Sequence, residues 1–224
     1  AIGTLAGGIA QNLKNAFTPI LIDTEILMQD TDEADPSYPI LQEILSATRQ
    51  GIDLVRNILI FSRRTAPAKE HLDLVPVFHE AIDFLKASFP STIVIRLRVE
   101  VEKAQVHADP TLIKQMIINL GGNAGHSMRR KGGVLRAGLS RKVLDEEDTA
   151  GIYPGMSPGP YISITLRDSG EGMDEETLRH IFEPFFTTKD RSKGRGLGLP
   201  VVQGIVREHN GAITVHSEPG KGTT

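Results

Sequence analysis

Apolar side chains at the N-terminus recur in steps of three and four. Ile2, Leu5, Ile9, Leu13, Ala16, Ile20 and Leu27 form one stripe over residues 1 to about 29, which predicts a helix. Pro19 lies inside it and removes a backbone donor, so a kink is expected near Asn15. The stretch TDEADPSYP, residues 31–39, then predicts a loop. From Ile40 to about Arg63, Leu41, Leu45, Thr48, Ile52, Val55, Leu59 and Ser62 alternate steps of four and three, a heptad seam. Ile40, Ile44, Leu54, Ile58 and Phe61 widen that face beyond what one partner helix covers. Two such helices joined by a short loop predict an antiparallel hairpin with apolar surface to spare. Pairing of two hairpins into a dimeric four-helix bundle would bury the excess. Docking of the hairpin on the rest of its own chain is the alternative.

The pattern changes after residue 63. RTAPAKE, residues 64–70, has the proline and polar flanks of a hinge. The expected organisation is therefore a hairpin at 1–63, a linker at 64–71 and a second domain at 72–224. Within that domain, helices are expected at 74–88, 109–128, 174–181 and 199–209. Asp109-Pro110 suits a helix start, with aspartate as cap and proline in the first turn. Alternating strands are expected at 92–101, 134–143, 161–166 and 212–217, with a Gly/Pro/acid-rich connection over 144–160. Interleaved elements of this length predict an α+β fold, the hairpin followed by a two-layer α/β sandwich.

Composition narrows the function classes. The 224 residues hold 39% hydrophobic and 24% charged side chains, which is ordinary for a globular protein. A net charge of −3 gives no reason to expect nucleic acid or an anionic membrane as partner. The absence of cysteine excludes disulfides and thiolate metal sites. No apolar run reaches the length of a membrane span. The sequence starts inside a helical pattern and stops just after a Gly-Lys-Gly turn, so it is expected to be a piece of a longer protein. Any membrane attachment would lie in segments outside it.

The chemistry concentrates between Asp168 and Leu199. Asp168-Ser169-Gly170-Glu171-Gly172 follows directly on the alternating run Tyr161–Leu166. A carboxylate at a strand end suits a buried ring whose exocyclic amine needs a fixed acceptor. Gly170 and Gly172 let backbone approach that ring without a Cβ in the way. Gly194, Gly196 and Gly198 lead into the helical run from Leu199, and glycine N–H groups at a helix start favour phosphate. Between the two glycine sets lie Phe182, Phe185, Phe186 and Thr187-Thr188-Lys189. Upstream, Asn119 and Asn123 are four apart on a predicted helix, so their amides share a face. Beside two glycine boxes they suit oxygen ligation of Mg²⁺ bridging the phosphates of ATP.

These motifs resemble the nucleotide-binding domain of bacterial sensor histidine kinases, within the wider gyrase–chaperone–MutL ATPase superfamily. Asn119 to Ala124 match the N box, Asp168 to Gly172 the first glycine box, Ile181 to Lys189 the F box, and Gly194 to Leu199, with Leu197 between the last glycines, the second glycine box. The resemblance implies ATP and Mg²⁺ as cofactors, with Asn123 the direct metal ligand. It puts His126 near the phosphates, where relatives often carry other polar residues. Lys189, Lys193 and Arg195 would sit on a mobile lid and pair with phosphates, although relatives usually have threonine at the Arg195 position. It further implies a cytoplasmic homodimer whose partner is a response regulator receiver domain.

The hairpin departs from the family pattern. AGGIAQNLKN, residues 6–15, resembles the H box, in which histidine normally follows Ile-Ala. That position is Gln11 here, and the acidic residue expected next is Asn12. No histidine precedes His71. A glutamine amide has no basic nitrogen and cannot accept a phosphoryl group, so this chain is expected not to autophosphorylate. One explanation is a substitution that traps a kinase unphosphorylated; the other is a naturally degenerate kinase that regulates partners. Asn15 matches a family position that orients water for dephosphorylating a response regulator.

Overall fold

The computed structural model describes residues 2–62, 69–151, 153, 155–188 and 196–224, and the side chains of all of these except 2–11, 50, 53, 54 and 56–62. The chain divides into two compact units, residues 1–66 and 67–224.

The first unit is the expected hairpin: α1, Ile2–Asp30, and α2, Tyr38–Ser62. Pro19 lies inside α1, and the helix continues on both sides of it. The reversal between the helices rests on two aspartates. Asp32 accepts from the Ala34 N–H at 2.9 Å, and Asp35 Oδ1 accepts from both the N–H and hydroxyl of Ser37. Such side-chain turns fix the short loop without a core of its own. Of the α2 seam, Thr48 and Val55 are buried and Leu41, Leu45 and Ile52 half-buried, while the side chains of Leu59 and Ser62 lie outside those described; Gly51, off the seam, is buried too. On α1, however, the side chains turned inward are Phe17, Leu21, Thr24 and Met28. A Cβ at Gly51 would lie 2.9 Å from the Phe17 ring, so the glycine is what lets that ring sit against α2. Glu25 and Arg49 bridge the helices at 2.8 Å. The stripe expected to be the packed face of α1 is instead exposed at Leu13, Ile20 and Leu27. Both faces of α1 are apolar enough to read as a stripe, and spacing alone does not choose between them.

The second unit is built on three sheets of strands. β1, Glu70–Asp73, pairs antiparallel with β3, Gln105–Ala108. β2, Ile93–Val99, runs parallel to β4, Gly133–Leu144, which pairs antiparallel with β5, Gly159–Arg167. α3, Leu74–Ser88, α4, Pro110–Ser127, and α7, Gly198–Glu208, supply the helical layer. Between the layers Phe78 and Ile82 of α3, Ile117 of α4, Leu135 and Leu139 of β4, and Val202 and Ile205 of α7 are fully buried. A Cβ at Gly121 would lie 2.3 Å from Leu85, so α3 and α4 pack closer than any larger residue permits. His209 then ties α7 to α4: its Nε2 accepts from the Asp109 N–H, and its Nδ1 meets the Ile205 carbonyl at 2.8 Å. This is the expected α+β sandwich.

Three expectations need correction. Glu70 and His71 fall in the expected linker but open strand β1, because His71 and Leu72 find ladder partners in His107 and Val106. The expected connection 144–160 contains a one-turn helix, α5, Glu146–Gly151, capped by Asp145 accepting from the Asp148 N–H. The expected strand 212–217 shrinks to β6, Ser217–Glu218, paired with β7, Gly222–Thr223. A strand needs a ladder partner, and among the described residues only His216 and Ser217 of this stretch, with Glu218 after it, have one.

Candidate nucleotide site

Asp168 follows the last residue of β5 and is the one buried charged side chain among the described residues. A buried carboxylate is costly unless donors reach it. Here three converge on Oδ1: the Gly170 N–H at 2.8 Å, the Ser127 hydroxyl at 3.1 Å and the Thr223 N–H at 3.3 Å. Because all three use Oδ1, Oδ2 is left as acceptor for a ligand N–H. The first glycine box wraps this group tightly. A Cβ at Gly170 would lie 2.1 Å from Ser127 Oγ, and Gly172, at φ +66°, would place one 2.0 Å from the Glu218 carbonyl oxygen. Ser127 was not singled out in the sequence; it reaches Asp168 across 41 residues, and no local spacing marks it.

α4 contributes the N box. Asn119 Oδ1 accepts from Gln115 Nε2 at 3.2 Å, while its Nδ2 is buried and has no partner among the described residues. An orphaned buried amide is a donor awaiting an acceptor, and exchange of its two ends would present oxygen instead. Asn123 lies one turn on. A Cβ at Gly198 would come within 3.7 Å of Asn123 Nδ2, so the N box and second glycine box meet there. His126 is half-buried in the last turn of α4.

The F box follows a short helix, α6, Glu175–His180, capped by Asp174 accepting from the Thr177 N–H at 2.8 Å. The Thr177 hydroxyl, and then its N–H, hold the Asp174 carboxyl below the usual aspartate value. Phe182 is half-buried and Thr188 exposed. Phe185 takes a left-handed conformation, φ 68°, and is 72% exposed. Its N–H donates to the Gly196 carbonyl at 2.9 Å, and a Cβ on Gly196 would strike the Phe185–Phe186 backbone. Phe185 and Phe186 are therefore held against Gly196. Lys189, Lys193, Gly194 and Arg195 lie outside the described residues. Beyond Gly196, Leu197 caps α7 without any side-chain hydrogen bond. The first intrahelical bond runs from the Val201 N–H, so the Gly198 and Leu199 donors precede it, and Pro200 carries none.

The hairpin residues form a separate group. Gln11 lies on the helical backbone of α1, its side chain outside those described, and Asn12 and Asn15 are exposed on the same helix.

Asp168, Asn119, Asn123 and the α7 start thus offer an acceptor for a ring amine, amides for a hard cation, and backbone donors for phosphate. These residues fit a magnesium nucleotide. Among the described residues no cluster of three or more His, Asp or Glu side chains exists that would hold a metal unaided. No helix among them is long and apolar enough to cross a membrane.

Comparison with known proteins bears on the family. The sequence model described as histidine kinase-, DNA gyrase B-, and HSP90-like ATPase matches residues 108–224. Sensor kinase CckA of Brucella abortus (strain 2308) is 35% identical over 225 aligned positions, covering 100% of this chain and 24% of that protein. Sporulation kinase E of Bacillus subtilis (strain 168) is 30% identical, covering 99% of this chain and 28% of that protein. The chain thus spans about a quarter of the length of these curated relatives. Among solved structures, full-length ShkA in complex with AMPPNP superposes with a TM-score of 0.75 at 18% identity, covering 98% of this chain and 44% of that one. The Acinetobacter baumannii histidine kinase AdeS gives a TM-score of 0.59 at 19% identity, covering 93% and 92%.

Proposed function

Because this chain belongs to the histidine kinase-, DNA gyrase B- and HSP90-like ATPase family, we propose that it binds ATP with Mg²⁺ and forms the core of a two-component sensor histidine kinase. The observation that carries the nucleotide reading is Asp168: a buried carboxylate with one oxygen tied by three donors and the other open to an adenine amine. The relatives named as sensor and sporulation kinases, matched along hairpin and ATPase domain alike, support the kinase reading. The hairpin would be the dimerisation element, and a receiver domain of a response regulator the partner.

The bound magnesium nucleotide supplies a γ-phosphoryl group whose charge the metal offsets. The protein's part is positioning and charge complementarity. Asp168 orients the base, and Gly170 and Gly172 admit it. Asn123, with Asn119 behind it, would hold Mg²⁺ through amide oxygen. The Gly198 and Leu199 N–H groups at the α7 start would face phosphate, with Lys189, Gly194, Arg195 and Thr188 on the covering segment and His126 near the α4 end.

In a kinase of this kind the phosphoryl group passes to an imidazole nitrogen on the hairpin, the P–O bond to ADP breaking as the P–N bond forms, and then to a receiver aspartate. Gln11 holds the acceptor position here, and its amide lone pair is delocalised into the carbonyl. Autophosphorylation should therefore be absent. A second reading follows from Asn12, a further departure from the acidic base: a naturally degenerate kinase that acts as a nucleotide-binding scaffold or, through Asn15, as a response-regulator phosphatase. Calorimetry with an ATP analogue and Mg²⁺ tests the shared premise. Saturable 1:1 binding, weakened but not abolished in Asp168→Asn, is expected; absence of binding in the parent chain would end both readings.

A further inference from the structure

Arg96, Arg136 and Arg167 stand side by side on three adjacent strands. Arg96 is opposite Arg136 in the parallel β2–β4 pair, and Arg136 is opposite Arg167 in the antiparallel β4–β5 pair. Facing residues of neighbouring strands share one face of a sheet, and all three are exposed. Their neighbours Leu135 and Ala137 are buried on the other face, against the helical layer. Among the described residues none of the three side chains makes an ion pair or hydrogen bond. Arg98, two residues along β2 on the same face, is by contrast paired with Glu100 at 2.5 Å.

Like charges placed directly opposite each other weaken a sheet, and here the conflict occurs twice in one row. It is no by-product of a basic chain, whose net charge is −3. Nor does the nucleotide site use the row: Arg167 precedes Asp168, but strand alternation sends the two side chains to opposite faces. The surface is an open sheet face, with Thr165 and half-exposed Val94 beside the arginines, rather than the concavity a small polyanion requires.

We propose that this row is a docking surface for a partner protein presenting an acidic helix face. Neighbouring strands lie about 4.8 Å apart, so the outer arginines are roughly 10 Å apart at the backbone. Carboxylates at positions i, i+4 and i+7 of a helix span about 10.5 Å along its axis. Each guanidinium can then meet one carboxylate in a two-point contact, which arginine supports and lysine does not. Such a helix would cross the three strands and relieve both like-charge contacts.

The test uses the full chain and two labelled alanine-based helical peptides of one composition. One carries Glu at i, i+4 and i+7; the other spreads the same residues around the helix. By fluorescence anisotropy the patterned peptide should bind the parent chain at least about tenfold more tightly. Arg136→Lys should weaken it several-fold, and the triple Arg96→Ser, Arg136→Ser, Arg167→Ser chain should lose the preference. ATP-analogue binding, which these residues do not touch, reports that the variants remain folded and keeps this test separate from the nucleotide reading. Arg136→Ser alone should raise the melting temperature. Equal binding of the two peptides, an unchanged triple variant, displacement by inorganic pyrophosphate at matched charge, or a lowered melting temperature in Arg136→Ser would each overturn the proposal.

Discussion

At Asp168, three protein donors meet one oxygen, so the proposed adenine contact falls to the other, and there the charge should matter as much as the shape. Asp168→Asn keeps the shape and removes the charge. ATP affinity should fall by on the order of 1.5–3 kcal/mol, read by calorimetry with Mg²⁺. An unchanged affinity would remove Asp168 from the site. Gly170 is constrained from the other side. A Cβ there would meet Ser127 at its hydroxyl, its Cβ and its backbone, all under 3 Å, so trimming the serine cannot make room. Gly170→Ala should therefore destabilise the domain by roughly 1–3 kcal/mol and weaken nucleotide binding even in a Ser127→Ala background. Thermal melts with and without nucleotide check this. Asp168 and the glycines were legible in the sequence because motif and chemistry coincide within a few residues. Ser127 was not, because its partner lies on another element, and the unpartnered Nδ2 of Asn119 is a fact of packing alone.

Among the elements, regular periodicity predicted the longer helices and strands well, though not the alternating stretch 212–217, which is paired only at its end. β2, β4, β5, α3, α4 and α7 all fall within a few residues of expectation. What escaped were short elements held by single caps or partners: β1, β3 and α5. Asp73 shows how such an element is fixed. Its carboxylate accepts from the Ala104 N–H at 2.9 Å and the Val75 N–H at 3.0 Å, joining the β1–β3 ribbon to the α3 start. Those two bonds, Ala104 first, hold its carboxyl below the ordinary aspartate value of 3.8. A depressed folded value means the stabilisation is complete above that ordinary value and fades as pH falls through the lower folded one. The stability gap between parent chain and Asp73→Ala should thus be constant near neutrality and shrink in that acid window, as denaturant titrations at several pH values would show. In the hairpin, Gly51→Val should force the Phe17 ring off α2 and lower helix content on heating, measured by circular dichroism. The misassigned face of α1 has the same origin as the success elsewhere: period alone marks a stripe but not which neighbour covers it.

For the molecule as a whole, the two faces of α1 divide two tasks. Phe17, Leu21, Thr24 and Met28 close the hairpin, while Ile20, Ile22, Ile26 and Leu27, with Ile40 and Ile44 of α2, stay exposed in a single chain. A second hairpin would cover them. Light scattering should show a dimer for the parent and a shift toward monomer in Ile26→Asp with helix content retained. Val55→Asp, which buries a charge inside one hairpin, should instead cost helix content. A monomeric parent would overturn the bundle. The central claim, an ATP-binding kinase core whose nucleophile position is Gln11, is tested most directly by transfer of label from γ-labelled ATP. The parent chain should bind ATP and take up no label, Gln11→His should take it up in acid-labile form, and Gln11→His with Asn12→Glu should do so faster. Label on the parent hairpin, or none on either variant while both still bind ATP, would contradict it.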